Sequence, residues 1–178
     1  MLSAIAAKGV PLAAAIAAES TYVTSPENNK RLFGLVIISN VVISGFTLVN
    51  LGMKVSEARK KYNVPYPTMY ATADTDDAKR FNCVQRGHQQ ALETYPMFLA
   101  LSLISGLRFP IITALNGLLY AVARSRWAEH YSELGAEHRY GSWLAKQVWT
   151  PLIALSLSSL YFAGELLSGL PIPVVMMK

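Results

Sequence analysis

The chain has 178 residues, of which 52% are hydrophobic and 15% charged, and 16 Lys and Arg against 11 Asp and Glu leave a net charge of +5. A water-soluble domain carries about a quarter charged residues, so this chain lacks the material for a water-facing surface, and its apolar mass excludes a disordered chain. The single cysteine, Cys83, excludes a disulfide scaffold and CxxC zinc or redox motifs. An integral membrane protein with several spans is the class that remains. The basic residues border apolar runs instead of forming one basic face. That excludes nucleic acid as a partner and leaves lipid headgroups or a carboxylate-bearing small molecule.

Residues 1–30 read as an extension ahead of the first span. Its Ala-rich stretch before Glu19 resembles a signal-peptide cleavage region, but no basic segment precedes the apolar run, and Lys8 and Pro11 interrupt it. A loosely ordered or interfacial extension is the expectation, with a cleaved signal as the alternative. The first span, residues 32–53, is uncharged and long enough to cross a hydrocarbon core of about 30 Å. Asn40 and Asn50 interrupt it. Their ten-residue spacing is read as near-integral in turns and sets both towards a partner helix.

The second segment, 81–108, is apolar only from residue 95; its first half, FNCVQRGHQQALE, is polar. The third, 109–123, continues into ARSRWAEHY, and LRFP at 107–110 predicts a tight hairpin between the two. The fourth, 148–164, carries Pro151 near its start, and 169–178 is a tail. The chain is therefore read as an all-α integral membrane four-helix bundle over residues 31–168. With four spans, loops 54–80 and 124–147 share one side. They hold most of the Lys and Arg, which makes that side cytosolic.

The polar half of the second segment is the most informative stretch. On a helix, Asn82, Arg86, Gln89, Gln90 and Glu93 form one stripe. Charged groups at the end of a membrane span are costly against lipid, so the stripe faces protein, water or a ligand. Arg86 and Glu93 are two turns apart, a long reach for direct pairing, which points each towards a neighbouring helix or a ligand. As a ligand site the stripe suits a zwitterion, Arg86 holding a carboxylate, Glu93 an ammonium and Gln89 or Gln90 an amide. His88 points away from it and is expected at a helix contact, and Cys83 is expected as a packed, inert thiol. Two basic elements lie on the same membrane side. They are SEARKKYNVPYPTMY, and ARSRWAEHYSELGAEHR with Trp127 and Tyr131 at i and i+4.

SEARKKYNVPYPTMY followed by FNCVQRGHQQALETYP closely resembles the microsomal glutathione S-transferase 3 branch of the MAPEG family, the membrane-associated proteins in eicosanoid and glutathione metabolism. The resemblance runs over about residues 32–164 and is strongest over 56–98. It implies four membrane helices, a homotrimer, and glutathione bound between subunits near the cytosolic side. The family's helix-two signature of Arg, Asn and Glu falls on Arg86, Gln90 and Glu93, with Gln in place of Asn. Arg59 matches the arginine after helix one, and Trp127 and Tyr131 match the helix-three aromatic pair. Arg139 matches the arginine credited with activating the thiolate. The resemblance thus implies Arg139 and Arg59 in catalysis, and Arg59, Asn82, Arg86, Gln90, Glu93, Trp127 and Tyr131 around glutathione.

The function implied is conjugation of glutathione, as co-substrate, to lipophilic electrophiles, with reduction of lipid hydroperoxides by the same thiolate. No metal or prosthetic group is required. Membrane lipid is a further partner. The expected location is the endoplasmic reticulum, with the outer mitochondrial membrane as the alternative. Two rival readings are a non-catalytic lipid-binding or scaffold protein on the same fold, and a structural bundle with a salt-bridge network. Glutathione binding separates the first reading from both.

Overall fold

A computed structural model describes residues 26–169, with Ala14 and Glu19 besides. The described residues form helices joined by short turns and by one longer loop, 62–75, with no strand among them. The extension 1–30 and the tail 169–178 fall largely outside the described residues, and with them the question of a cleaved signal.

The first membrane segment is one continuous helical rod: α1 (Pro26–Val36), a π-helical stretch (Ile37–Ile43) and α2 (Ser44–Lys61). The predicted span lies inside it. The π-helical stretch has a local cause. Asn40 is fully buried and donates from Nδ2 to Ser102 Oγ at 2.8 Å, and its Oδ1 accepts from Ser39 at 2.6 Å. An extra residue per turn brings both polar side chains inward, while hydroxyls satisfy displaced carbonyls: Ser44 donates to Asn40 O and Thr47 to Ile43 O. Asn50, by contrast, is exposed. The expectation that both asparagines face a partner helix holds for Asn40 alone. At about 100° per residue, ten residues end about 80° short of three turns, and the wider π turns add to the mismatch.

Helix α3 (Asp76–Arg108) has 33 residues. It begins five residues before the expected start, because Thr75 caps it by accepting from the Ala78 amide, and Asp76 and Asp77 complement the helix dipole. At about 1.5 Å per residue it is about 50 Å long, well beyond a hydrocarbon core of ~30 Å. Phe109 alone separates it from α4 (Pro110–Leu134), as LRFP predicted; Pro110 occupies the first helical turn, where no amide hydrogen is needed. Gly135, at φ 90°, ends α4. A 3-10 turn (Ala136–His138), the short α5 (Trp143–Lys146) and a second 3-10 turn (Gln147–Trp149) lead into α6 (Thr150–Leu167), with Pro151 in its first turn.

Helices α3, α4 and α6 meet at Phe98, Tyr120 and Leu155, where the Phe98 and Tyr120 rings stack at 4.0 Å. Near the hairpin, Ser105 and Thr113 share a hydrogen bond of 2.9 Å, and Arg108 forms a buried pair with Glu165 at 2.9 and 3.1 Å. Glu19 is buried there too and accepts from the Ile111 and Ile112 amides at 2.6 and 2.9 Å, capping the start of α4. Outward, the helices present large apolar side chains: Phe46 and Leu160 are each 69% exposed, in the company of Val49, Met53, Ile153 and Leu157. Such a surface suits lipid and not water. By length and hydropathy two helical stretches, Asn28–Lys61 and Trp143–Leu167, are able to cross a membrane.

Gly117 of α4 allows the π segment its close approach. A Cβ there would lie 2.2 Å from Asn40 Oδ1 and 3.0 Å from the Ser39 backbone carbon, and Asn40 is held by two hydrogen bonds. Gly117→Ala is expected to cost about 1–3 kcal/mol, read as a lower Tm in detergent. Gly34→Ala, where nothing lies within 4 Å of the new Cβ, is the control and keeps the wild-type Tm.

Candidate functional site

The loop after α2 is held in place by residues of the predicted site. Arg59 is buried, and its Nη1 donates to Thr68 O at 2.8 Å and to Val64 O at 3.4 Å. Its guanidinium lies 4.3 Å from the Tyr66 ring centroid and 5.3 Å from that of Phe81. Asn82 donates to Ala71 O and accepts from Ala71 N, both at 2.9 Å, which uses both ends of its amide. Tyr70 donates to Gln89. Arg59 and Asn82 thus fasten the loop to the bundle, and Arg59 also lines an open cleft with Ser56, Lys60, Asn63 and Tyr66.

Arg86 and Glu93 meet each other directly, at 2.7 and 3.3 Å, in a two-point contact. The sequence reading took two turns as a long reach for pairing. Both side chains extend along the helix axis and close the gap. The pair stays open to solvent, with side chains 41% and 46% exposed. An exposed pair is worth only about 0–1 kcal/mol, so a ligand of complementary charge separates it at little cost.

Gln90 sits at the margin of that open face, with its carbonyl turned inward. It is buried and accepts a hydrogen bond from Arg124 of α4, whose Nη2 also donates to Thr94 Oγ1 at 3.2 Å. Arg124 is the largest fully buried side chain among the described residues, lying against the rings of Tyr120 and Trp127 at 5.4 and 5.8 Å. The sequence reading assigns Arg124 no role. A signal was present: one cation at the end of an uncharged run, with aromatics four residues before and three after.

Trp127 and Tyr131 face one way as expected, rings 5.2 Å apart. Trp127 is buried, and its indole nitrogen has no hydrogen-bond partner. Tyr131 is half-buried, and Cys83, Arg139, Arg86 and Tyr70 lie within electrostatic reach of its phenol. Arg139 sits in the turn after α4. It donates to Ala136 O and lies 5.2 Å over the Tyr140 ring. The Tyr140 hydroxyl accepts from Trp149 Nε1 at 3.3 Å. Burial works against its ionisation, but the donors facing it, Trp149 first and Arg139 next, outweigh that and hold the phenol below its ordinary value. His88 packs against Gly52 of α2, a helix contact as expected.

The eight predicted residues thus divide three ways. Arg86, Glu93, Tyr131 and Arg139 come together at one open end of the bundle. Gln90 and Trp127 turn inward onto Arg124. Arg59 and Asn82 hold the loop. Together they define an all-helical membrane protein with a mixed-charge face on the polar end of its longest helix. The sequence model of the MAPEG family matches residues 37–161, from the π-helical stretch into α6, and the chain belongs to that family.

Proposed function

We propose that the protein is a membrane glutathione transferase of the microsomal glutathione S-transferase 3 type. The observation that carries this is the exposed Arg86–Glu93 pair within reach of Tyr131 and Arg139. A zwitterion replaces the internal pair with two new ones, its carboxylate on Arg86 and its ammonium on Glu93. Glutathione has these groups and a thiol.

A free thiol has a pKa near ~8.5, and the thiolate is the nucleophile. A guanidinium beside the sulfur favours the ionised form and does not lose its own proton. Lowering the thiol pKa by two units takes about 2.7 kcal/mol of differential stabilisation, within the reach of one Arg in a partly dehydrated site. In this reading Arg139 supplies that charge and Arg59 is the second candidate. The thiolate forms a bond to the electrophilic carbon of a lipophilic substrate arriving through the bilayer, as a leaving group departs or a π bond opens; or it attacks the peroxide oxygen of a lipid hydroperoxide, breaking the O–O bond to give an alcohol and a glutathione sulfenic acid, which a second glutathione converts to the disulfide and water. Family membership and the apolar helices support a membrane protein; the endoplasmic reticulum, with the basic loops cytosolic, completes the proposal.

The assembly proposed is a homotrimer, in which a neighbour's first helix and Arg59-bearing loop cover the polar face of α3. Native mass spectrometry in mild detergent is expected to give three copies. A monomer with full glutathione affinity overturns a site between subunits. The commitment of Arg59 and Asn82 to the loop favours one rival, a non-catalytic lipid-binding or scaffold member. Titration of the purified protein with glutathione, read as thiolate absorbance in the ultraviolet, separates the two: the transferase develops the signal and the scaffold does not.

A further inference from the structure

We infer that Arg124 is a positioning residue for the proposed glutathione site, holding the Gln90 carbonyl inward so that only the amide NH2 faces the ligand and the position selects a carboxylate. This rests on the function proposed above and adds to it a specificity element from the bundle interior.

The first observation is a cation without an anion. Arg124 is 1% exposed. The ion pairs among the described residues are Lys54–Glu129, Lys79–Asp74, Arg86–Glu93, Arg108–Glu165 and Arg126–Glu129, none of which involves it. Its Nε is buried without a partner. A buried charge is costly unless paired, so every acceptor near it counts. Gln90 and Thr94 accept hydrogen bonds from it, and the Tyr120 hydroxyl also lies close to it.

The second observation concerns the amide. A guanidinium only donates, so the Gln90 group facing it is the oxygen, and the amide orientation follows. The two remaining donors are on Gln90 Nε2. That nitrogen makes no hydrogen bond and is not sealed from solvent, although the residue is only 8% exposed. Gln90 lies four residues after Arg86 and three before Glu93, on adjoining turns of one helix flank. An amide free to rotate offers donor or acceptor. One whose oxygen is taken offers only donors, beside the Arg86 guanidinium. The two together match an acceptor-only oxygen group, which an ionised carboxylate is and an ammonium is not.

Gln90→Glu tests the inference, because it replaces the outward donor with an acceptor and leaves the atom facing Arg124 unchanged. The readouts are Tm and the affinities of the full chain, in detergent, for glutathione and for its diethyl ester, which keeps the thiol and ammonium but has no carboxylate. Tm is expected to hold or rise, since the new carboxylate pairs with Arg124. The preference for glutathione over the ester is expected to fall at least about tenfold. Arg124→Met, which frees the amide to turn, is expected to lower the same preference about threefold or more, with Tm retained. A sharp loss of Tm or failure to fold in Gln90→Glu means that Arg124 does not face the oxygen and overturns the inference. So does an unchanged preference, or an equal loss on both ligands. Absence of glutathione binding by the unsubstituted protein defeats the proposed function itself, and is seen before any variant is made.

Discussion

Arg86→Ala and Glu93→Ala each weaken glutathione binding about ten- to a hundredfold, whereas Lys61→Ala leaves it nearly unchanged. Charge-assisted hydrogen bonds contribute about 1.5–3 kcal/mol each, and each substitution removes one partner of the bound zwitterion. The direct contact between Arg86 and Glu93 adds a condition. In the free protein each is the other's partner, so either substitution also leaves a lone charge facing the ligand. Arg86→Ala leaves Glu93 repelling a carboxylate, and Glu93→Ala leaves Arg86 repelling an ammonium. The double variant is therefore expected to bind no worse than the sum of the two losses. Lys61 is exposed, with its ammonium 5.0 Å over the Tyr62 ring. Isothermal titration on the three single variants decides the matter. Equal losses for all three would indicate a diffuse electrostatic effect and remove the assigned roles.

Arg139→Ala raises the pKa of the bound thiol and lowers turnover at pH 7, with affinity for glutathione largely intact. If the guanidinium holds the thiol two units below ~8.5, its removal cuts the thiolate fraction at pH 7 roughly twentyfold and has little effect above about pH 9. The sign follows from the charge: a cation lowers a thiol pKa, so its loss is felt below the unperturbed value and recovered above it. Arg139→Lys is expected to restore the rate only in part, because it keeps the charge and loses the planar fork lying over Tyr140. The check is a pH–rate profile with a model electrophile for wild type and both variants. Coincident profiles would release Arg139 from the role and pass it to Arg59.

The helices and the hairpin were legible because their signals are local. Uncharged runs of sufficient length mark the helices, and Phe109 followed by Pro110 marks the turn. The π-helical stretch was not, because it follows from where Asn40 finds Ser102 and from the space left by Gly117, both distant in sequence. Within the polar stripe, helical period alone grouped Gln90 with Arg86 and Glu93. Gln90 lies at the margin, about 40° round from one and 60° from the other, and a marginal residue goes to whichever neighbour claims it. Arg124 does so. Arg59 and Asn82 looked like ligand groups because a basic or amide side chain near a loop reads the same in sequence whether its partner is a ligand or the loop's own backbone. Only three-dimensional contact separates the two.

The one-residue turn at Phe109 has a geometric consequence for the far end of the bundle. Ser105 and Thr113, which bond each other, are each four residues from Phe109; Thr94 and Arg124, which also bond, are each fifteen away. The two helices thus work as a folded ruler, with matching marks at equal counts from the crease. A turn of one residue has no slack to absorb an error in either arm. One residue inserted between Thr94 and Phe109, or between Phe109 and Arg124, would slide one scale against the other by about 1.5 Å and turn it through about 100°. The level at which Arg124 meets Gln90 is thus metered from the opposite end of the bundle.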